Sequence, residues 1–324
     1  MIIRLNELHS LIIYIVFGYA ILLPLVLITL RIFDISGPVQ RLRIYLVAFL
    51  TPVAAFVLYH TVLVKRCESG ITPLWSESLF HLLCLVSDGM LIVFVPLFGV
   101  LTSLALLKAV ASSLMIKRLE KRTVLVGQDQ AKTINKIILN KSQELGLYPP
   151  RVLVVQRDDF AAFTTGFIKP VIVISYRIVR LLEERELEAV ISHELVHIKH
   201  RDTLKNWLLH LVRDITLLNP LNILLLKGYL LEKEIICDQK AAELANQEPQ
   251  EYAATLLKVW RSLIDRPGPK LAVISSFTGS NGMERRIEFL LKNSETGGKS
   301  SDYIAIFSSI LLFSVTIIFL GIVC

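Results

Sequence analysis

Charged residues are scarce in this sequence. They make up 19% of its 324 residues, whereas a soluble globular chain usually carries about 25%. Hydrophobic residues reach 53% and are concentrated in long runs. The composition therefore excludes an ordinary soluble domain and indicates an integral membrane protein with a sizeable polar portion.

The sequence also predicts neither paired cysteines nor a cleavable leader. The four cysteines lack the spacing of a disulfide framework or a cysteine-type zinc site. The first apolar run has no small-residue cleavage site and is followed by further runs, so we expect a retained span. We find no nucleic-acid-binding motif, and retention at the inner leaflet explains the net charge of +7 better than nucleic acid does. Membrane lipid is therefore an expected partner, and direct nucleic-acid binding is not expected.

Four apolar runs are long enough to span a bilayer, at residues 8–30, 44–64, 89–107 and 303–323. The loop after the first run carries Arg31, Arg41 and Arg43, and five basic residues follow the third run between positions 108 and 122. The positive-inside rule places both regions in the cytoplasm and both chain termini outside. We therefore predict a three-span region over residues 1–111, a cytoplasmic catalytic domain over 112–302 and a C-terminal transmembrane helix over 303–324.

The catalytic region mixes helical and strand patterns. Helices are predicted over 133–147, from 184 onward, over 249–264 and over 283–291, with a strand over 151–155, a hairpin or edge strand over 163–174 and a loop over 265–282. Residues 204–231 are apolar but interrupted at Asn219-Pro220, which predicts two half-length helices. Contact of these helices with the membrane is preferred over a buried hairpin.

The most informative segment of this region is His193-Glu194-Leu195-Val196-His197. Two histidines four apart on a helix lie nearly above one another, so both imidazoles can reach one metal ion. Glu194 points toward the flank of that ion, where a carboxylate can take a proton from a zinc-activated water. The alternative is a chance pattern on an amphipathic helix, but the apolar flanking residues at helical spacing favour a packed helix.

Catalytic zinc needs a third protein ligand. His200 lies three residues after His197, but one straight helix rarely wraps three ligands round an ion, so a surface or supporting role is favoured. Glu234 and Asp238 share a face of a later helix. If that helix crosses the first, Glu234 can bind zinc and Asp238 can accept a hydrogen bond from the outer nitrogen of a zinc histidine. The alternative is a solvated pair of charges.

The expected chemistry is peptide hydrolysis. Zinc would polarise the scissile carbonyl, and Glu194 would take a proton from the water and deliver it to the leaving amine. Tyr229, His200 and Arg201 are candidate donors to the oxyanion, and the sequence does not choose among them. The edge strand within residues 163–174 can bind an extended peptide by strand addition.

Taken in order, these segments resemble the M56 membrane metallopeptidases, which include the antibiotic-sensing receptors of the BlaR1/MecR1 type. The resemblance rests on three spans before and one after, and on Gly166-Phe167-Ile168-Lys169-Pro170-Val171-Ile172, His193-Glu194-Leu195-Val196-His197, Arg201-Asp202, Asn219-Pro220-Leu221 and Glu234 with Cys237-Asp238. It implies a gluzincin-type site with one catalytic Zn²⁺. Its residues would be His193, His197 and Glu234 as ligands, Glu194 as acid and base, Asp238 in support, and His200, Arg201, Asp202 and Tyr229 as accessory candidates.

The resemblance also implies a fold and a cellular setting. The expected fold is an α+β membrane protein, with four transmembrane helices and a mostly helical gluzincin-type protease domain carrying a small β-sheet. The chain would lie in the bacterial inner membrane and cut a protein or peptide substrate, such as a cytoplasmic repressor or itself. Those receptors carry a penicillin-binding domain after the fourth span, and this chain ends at Cys324, so direct β-lactam sensing is not expected.

Two other hypotheses remain open at this point. One is an M48-type membrane quality-control protease, which uses a similar site, although Asn219-Pro220 and Cys237-Asp238 favour M56. The other is a non-catalytic signalling or scaffold membrane protein with a structural metal site. The sequence does not indicate the oligomeric state.

Overall fold

The computed structural model describes residues 5–58, 99–100, 117–124, 126–157, 160–216, 219–264 and 280–293, with the single positions 103, 107, 110, 114, 310 and 314. The predicted spans at 89–107 and 303–323 lie almost entirely outside the described residues, as does most of the predicted loop at 265–282. The chain divides into two compact units: Met1–Ala105 with Leu209–Glu232 and Lys299–Cys324, and Leu106–Leu208 with Lys233–Gly298. The domain limits given above stay predictions.

The first unit begins with two long apolar helices, α1 (Leu5–Ile32) and α2 (Pro38–Leu58). Segments of both, Ile15–Ile32 and Pro38–Val57, are long and apolar enough to cross a membrane. The second helix starts six residues before the predicted run at 44–64, because Pro38 fits the first turn of a helix and the arginines after it do not interrupt one.

The two helices pack closely where Gly18 faces Pro52. A Cβ atom at Gly18 would lie 3.0 Å from the Cβ atom of Pro52, so the small residue lets the backbones approach. Beside this contact, the hydroxyl of Tyr19 donates to the carbonyl of Phe49 at 2.8 Å.

The remaining described part of the first unit is a helical hairpin, formed by the end of α6 (Asp202–Ile215) and the start of α7 (Leu221–Leu244). The predicted break between two helices is confirmed. Asn219 in this break accepts a hydrogen bond from the N–H of Leu221 at 3.0 Å and donates to the Val16 carbonyl at 2.8 Å.

The α7 part of this hairpin also contacts α2. A Cβ atom at Gly228 would lie 2.7 Å from the ring of Tyr45. One turn after Gly228, the buried carboxylate of Glu232 accepts a hydrogen bond from Arg41 of α2 at 2.7 Å. The hairpin is therefore held to α1 and α2 by hydrogen bonds from the Asn219 side chain to main-chain carbonyls, a close glycine contact and an ion pair.

The second unit contains a three-stranded sheet in the order β1 (Arg151–Val155), β3 (Val171–Ser175), β2 (Ala162–Thr165). The central strand β3 runs parallel to β1 and antiparallel to β2. The predicted strand and hairpin are confirmed. Gly166 turns the hairpin with φ +94, where a Cβ atom would lie 2.6 Å from the Lys169 carbonyl oxygen, so only glycine fits.

The second unit also contains the helices α3 (Gln128–Glu144), α4 (Tyr176–Leu181), α5 (Glu184–Lys199), α8 (Pro249–Ile264) and α9 (Ser280–Asn293), of which the first three pack on the sheet. The predicted helix at 133–147 was misplaced: α3 begins five residues earlier, because its first turn is polar and gives no apolar signal, and it ends at Glu144 before Gly146 at φ +64. The predicted loop at 265–282 was wrong over 280–282, which belong to α9. The short helix α4 was not predicted.

Alternation along β3 divides the core into two layers. Ile172 and Ile174 face a cluster built with α3, α4 and α5, whereas Val171 and Val173 face the opposite cluster. A third, alanine-rich cluster joins α5 to α7, α8 and α9. Burial of both sheet faces fixes α5 against the sheet, and α5 carries the histidine motif. The prediction of a mostly helical region with a small sheet is confirmed for the described residues.

Candidate metal centre

The helix that carries the motif is anchored at its start and along one face. The side chain of Glu186 accepts a hydrogen bond from the N–H of Glu183 at 2.9 Å, and its negative charge suits the first helical turn. Leu187, Ile191 and Leu195 are buried in the core cluster. This burial leaves the two histidines of α5 on a different face of the helix, which is directed at α7.

His193, His197 and Glu234 converge on one point. The Nε2 atoms of the two histidines are 3.0 Å apart. The Glu234 oxygens lie 3.5 Å from His193 Nε2 and 3.6 Å from His197 Nε2. Ligand atoms at roughly 2.0–2.1 Å from a tetrahedral zinc ion are about 3.3 Å apart. The three side chains therefore have the spacing of three corners of a zinc site.

Each histidine is oriented by a carboxylate at its outer nitrogen. Asp238 lies 3.1 Å from His193 Nδ1, and Asp202 lies 2.7 Å from His197 Nδ1. When Nδ1 donates its proton to such a carboxylate, Nε2 is left with a lone pair. The Nε2 lone pairs of both histidines and the Glu234 carboxylate then face one another. These three electron-rich groups repel each other unless a cation lies between them. The residues present therefore fit a metal ion.

The pKa values show the same preference for positive charge. Burial alone would lower the pKa of His193, but Asp238 and Glu234 outweigh it and raise this pKa to about 10. Burial would raise the pKa of Glu234, but His193, His197 and Arg286 hold it below its ordinary value. The two carboxylates thus favour a positive charge at His193, so that binding of a metal ion would be coupled to release of a proton.

A residue that the sequence did not reveal completes the His193 side. Arg286 on α9 is buried and donates to both oxygens of Asp238, at 2.7 and 2.8 Å, and its Nη1 lies 3.5 Å from Glu234. Tyr252 donates to Asp238 Oδ1 at 3.1 Å. Arg286 falls in a run of charges, which usually indicates a solvated surface. Its burial could have been predicted from its position three residues after Met283 and four before Leu290, which places it on the apolar face of α9.

The His197 side is built in the same way from other residues. Lys233 is buried, and its Nζ lies 3.0 Å from the second oxygen of Asp202. Burial would raise the pKa of Asp202, but His197 and Lys233 keep it lowered. The Cys237 thiol lies 3.5 Å from His197 Nδ1. Its burial and the surrounding carboxylates raise the pKa of this thiol, so it is not a thiolate at neutral pH.

Glu194 is tied to the sheet. Its side chain is buried, and the Thr164 hydroxyl of β2 donates to Glu194 Oε2 at 2.7 Å. Among the described strands β2 pairs only with β3, so it is an edge of the sheet. The structure therefore joins the candidate general base to the edge strand, and the catalytic role of Glu194 stays a prediction.

Three accessory candidates lie elsewhere. His200 ends α5, where its Nε2 accepts a hydrogen bond from Lys240 Nζ at 3.0 Å. Arg201 is an exposed turn residue with φ +54. Tyr229 is buried within the first unit. The structure thus groups His193, His197, Glu234, Asp238 and Asp202, and it gives none of these three a place in that group. The assignment of ligands itself remains a prediction.

Comparison with known proteins gives a family match and several partial relatives. The family model described as BlaR1 peptidase M56 matches residues 85–290. A Protease HtpX homolog of Thermococcus sibiricus is 35% identical over 85 residues, covering 26% of this chain and 29% of the relative. Another from Acidiphilium cryptum is 45% identical over 65 residues, covering 19% and 23%. A third from Gemmatimonas aurantiaca is 38% identical over 95 residues, covering 29% and 34%. The chain thus spans about a third or less of these relatives.

Proposed function

Because the chain belongs to the M56 peptidase family, we propose that it is an integral-membrane, zinc-dependent endopeptidase of the gluzincin type. The observation that carries this proposal is the convergence of His193 Nε2, His197 Nε2 and Glu234 at zinc-site spacing. Zinc would be held by these three side chains, and when bound it supplies Lewis acidity and makes water a stronger acid.

The residues around this site would divide the remaining work. Glu194 takes the proton from the attacking water and later delivers it to the leaving amine. The Thr164 hydroxyl holds the Glu194 carboxylate in place through Oε2. Asp238 and Asp202 keep the histidine rings in the tautomer that presents Nε2.

A protein substrate would bind in extended form along β2. An added strand needs only main-chain hydrogen bonds to a free sheet edge. Thr164 of β2 contacts Glu194, so a peptide paired with this strand would run beside the candidate general base. The substrate would be a regulatory protein, such as a cytoplasmic repressor, or the chain itself.

The proposed membrane arrangement has four spans, at residues 8–30, 44–64, 89–107 and 303–323. The protease domain over residues 112–302 would face the cytoplasm of a bacterial inner membrane, with both termini outside. Two apolar helices of spanning length support part of this arrangement. The basic residues that follow the first and third runs support the orientation.

A second candidate is an M48-type quality-control protease, because the partial relatives carry the name Protease HtpX homolog. A regulatory protease cuts few proteins, whereas a quality-control protease cuts many unfolded ones. A proteome-wide comparison of cells carrying the wild type or Glu194→Gln would separate the two. One or a few accumulated proteins support the regulatory function, and a broad set of misfolded membrane proteins supports the other.

Zinc content and peptide cleavage test the catalytic proposal directly. We expect Glu194→Gln to keep zinc and to lose cleavage by roughly 10²–10⁴-fold, because it removes the proton acceptor. Glu234→Ala should lose zinc, whereas His200→Ala should keep it. Unchanged cleavage in Glu194→Gln would overturn the assignment of Glu194, and the reverse zinc result would overturn the choice of Glu234 as third ligand.

A further inference from the structure

The tip of the β2–β3 hairpin exposes two large apolar side chains. Phe167 is 40% exposed and Ile168 is 92% exposed. Exposed turns are normally built from glycine, proline and small polar residues. The backbone requirements of this turn are met by Gly166 and Pro170, so they do not explain why the residues between them are phenylalanine and isoleucine.

The first turns of α6 continue this apolar surface. Leu204, Trp207 and Leu208 share one face of the helix, and the two leucines are 38% and 46% exposed. The Trp207 ring contacts the Phe167 ring edge to face, with centroids 5.9 Å apart. The hairpin tip and α6 therefore form one surface, which we name the tip patch: Phe167, Ile168, Leu204, Trp207 and Leu208.

The exposed charges within the two segments that form the tip patch are basic. Lys169 follows Ile168, and Lys205 and Arg201 lie beside Leu204; all three are exposed. Asp202, the acidic residue in these two segments, is buried. An apolar face with tryptophan and phenylalanine, bordered by lysine and arginine, is the composition of a surface that lies in a membrane interface. This composition matches the surface of a protein–protein contact, which usually carries charges of both signs, less well.

The chain itself leads from this patch toward apolar structure. After Leu208, α6 continues at Leu209 into the first unit, to which the two helices of spanning length also belong. We propose that the tip patch docks into the headgroup boundary of the bilayer and that anionic lipids are its partner. Docking would hold β2 close to the membrane. If the proposed protease function is correct, it would favour substrate segments near the bilayer surface.

Native Trp207 provides the first test. In the full-length chain, Trp75→Phe and Trp260→Phe leave Trp207 as the sole tryptophan. This protein is reconstituted in phosphatidylcholine–phosphatidylglycerol vesicles that contain lipids brominated at shallow or deep acyl positions. Shallow bromines should quench Trp207 more strongly, because interfacial apolar faces lie roughly 5–10 Å into the headgroup and acyl boundary. Absence of quenching by either lipid overturns the proposal.

A second probe avoids packed positions. Ile168→Trp is introduced after Trp207→Phe, in the same background, and Leu139→Trp on α3 is the matched control, because Leu139 is 58% exposed in the same unit. We expect bromolipid quenching at position 168 and quenching by aqueous iodide at position 139. Equal behaviour at the two positions, or iodide quenching at 168, contradicts docking. Protection of position 168 by added peptide alone would indicate a protein partner instead.

The lipid charge is tested by Lys169→Gln and Lys205→Gln. Each should weaken docking about fivefold on anionic vesicles, the effect expected for one basic residue near such a surface. Lys132→Gln, an exposed lysine of α3, is the control and should have no effect. Quenching that is independent of these charges and of phosphatidylglycerol would overturn the role of anionic lipid. None of these readouts depends on proteolysis, so failure here is distinct from failure of the protease proposal.

Discussion

Replacing Arg286 by methionine would leave Asp238 buried without the guanidinium that contacts both of its oxygens. Asp238 is fully buried and Arg286 is 5% exposed. Removing one partner of such a pair typically costs roughly 3–5 kcal/mol, because the other charge stays out of water. The protein can avoid part of this cost by protonating Asp238, whose pKa Arg286 holds below its ordinary value despite burial.

Either outcome weakens zinc binding. A protonated or displaced Asp238 no longer accepts the His193 Nδ1 hydrogen bond, and Glu234 loses the positive charge 3.5 Å away. Loss of such a supporting partner typically lowers metal affinity by about 10–100-fold. We therefore expect Arg286→Met to weaken zinc binding in this range. Arg286→Lys should be intermediate, because an ammonium group cannot bind both carboxylate oxygens in a fork.

The assay is competition for zinc between the purified chain in detergent and a chromophoric chelator at pH 7.5, with thermal unfolding measured with and without zinc. Arg285→Met is the matched control, because it removes the same charge from the neighbouring position of α9. An Arg286→Met protein with wild-type zinc affinity would refute the reasoning. So would an Arg285→Met protein with an equal loss, since the effect would then be one of net charge.

Three other changes test the positions that support the site. Thr164→Val should lower kcat roughly fivefold, because it removes one hydrogen bond of about 1 kcal/mol to Glu194, and Thr164→Ser should keep the wild-type rate. Equal kcat values for all three proteins would show that this hydroxyl does not support Glu194. Gly166→Ala should destabilise the protease domain by roughly 1–3 kcal/mol in denaturant titrations, whereas Gly127→Ala, where a Cβ atom meets nothing within 4 Å, should not. Partial burial of Glu186 raises its pKa, but the ion pair with Lys258 at 2.6 Å and the hydrogen bond from the Glu183 N–H together have the larger effect. The pKa of Glu186 is therefore below its ordinary value. A depressed acid stabilises the fold above its unfolded pKa, so Glu186→Gln should cost about 1 kcal/mol or less at pH 7. That cost should vanish as the pH falls below about 4, as followed by thermal unfolding; a cost that persists at low pH excludes the ion pair as its cause.

Local periodicity was enough to predict the elements that position the motif. The strand at 151–155, the hairpin around Gly166, the start of α5 at Glu184 and the bounds of α8 follow from alternation, turn residues and caps. Elements without such signals were missed or misplaced. The helix α4 has six residues, too few for an apolar period, and the first turn of α3 is polar throughout.

The candidate site was predictable only where its geometry is local. The spacing of His193 and His197 on one helix places both rings on the same side of that helix, which is a local property of the sequence. Glu234 depended on whether a later helix crosses α5, which periodicity cannot decide. Asp202 contacts His197 across the end of α5 and the left-handed turn at Arg201. No helical spacing rule links two residues across such a break.

The two supporting carboxylates, Asp238 and Asp202, each have a buried cation on the side away from the histidine. Asp238 has Arg286 at its far side, and Asp202 has Lys233. Each histidine is therefore oriented by an acid whose charge a buried cation already balances. The carboxylate of Glu234 supplies a further negative charge beside the two Nε2 atoms, and Arg286 Nη1 lies 3.5 Å from it. A metal ion among the three ligands would balance the Glu234 charge and would also meet the two imidazole lone pairs. The charge distribution, as well as the spacing of the ligands, thus fits a cation at this position.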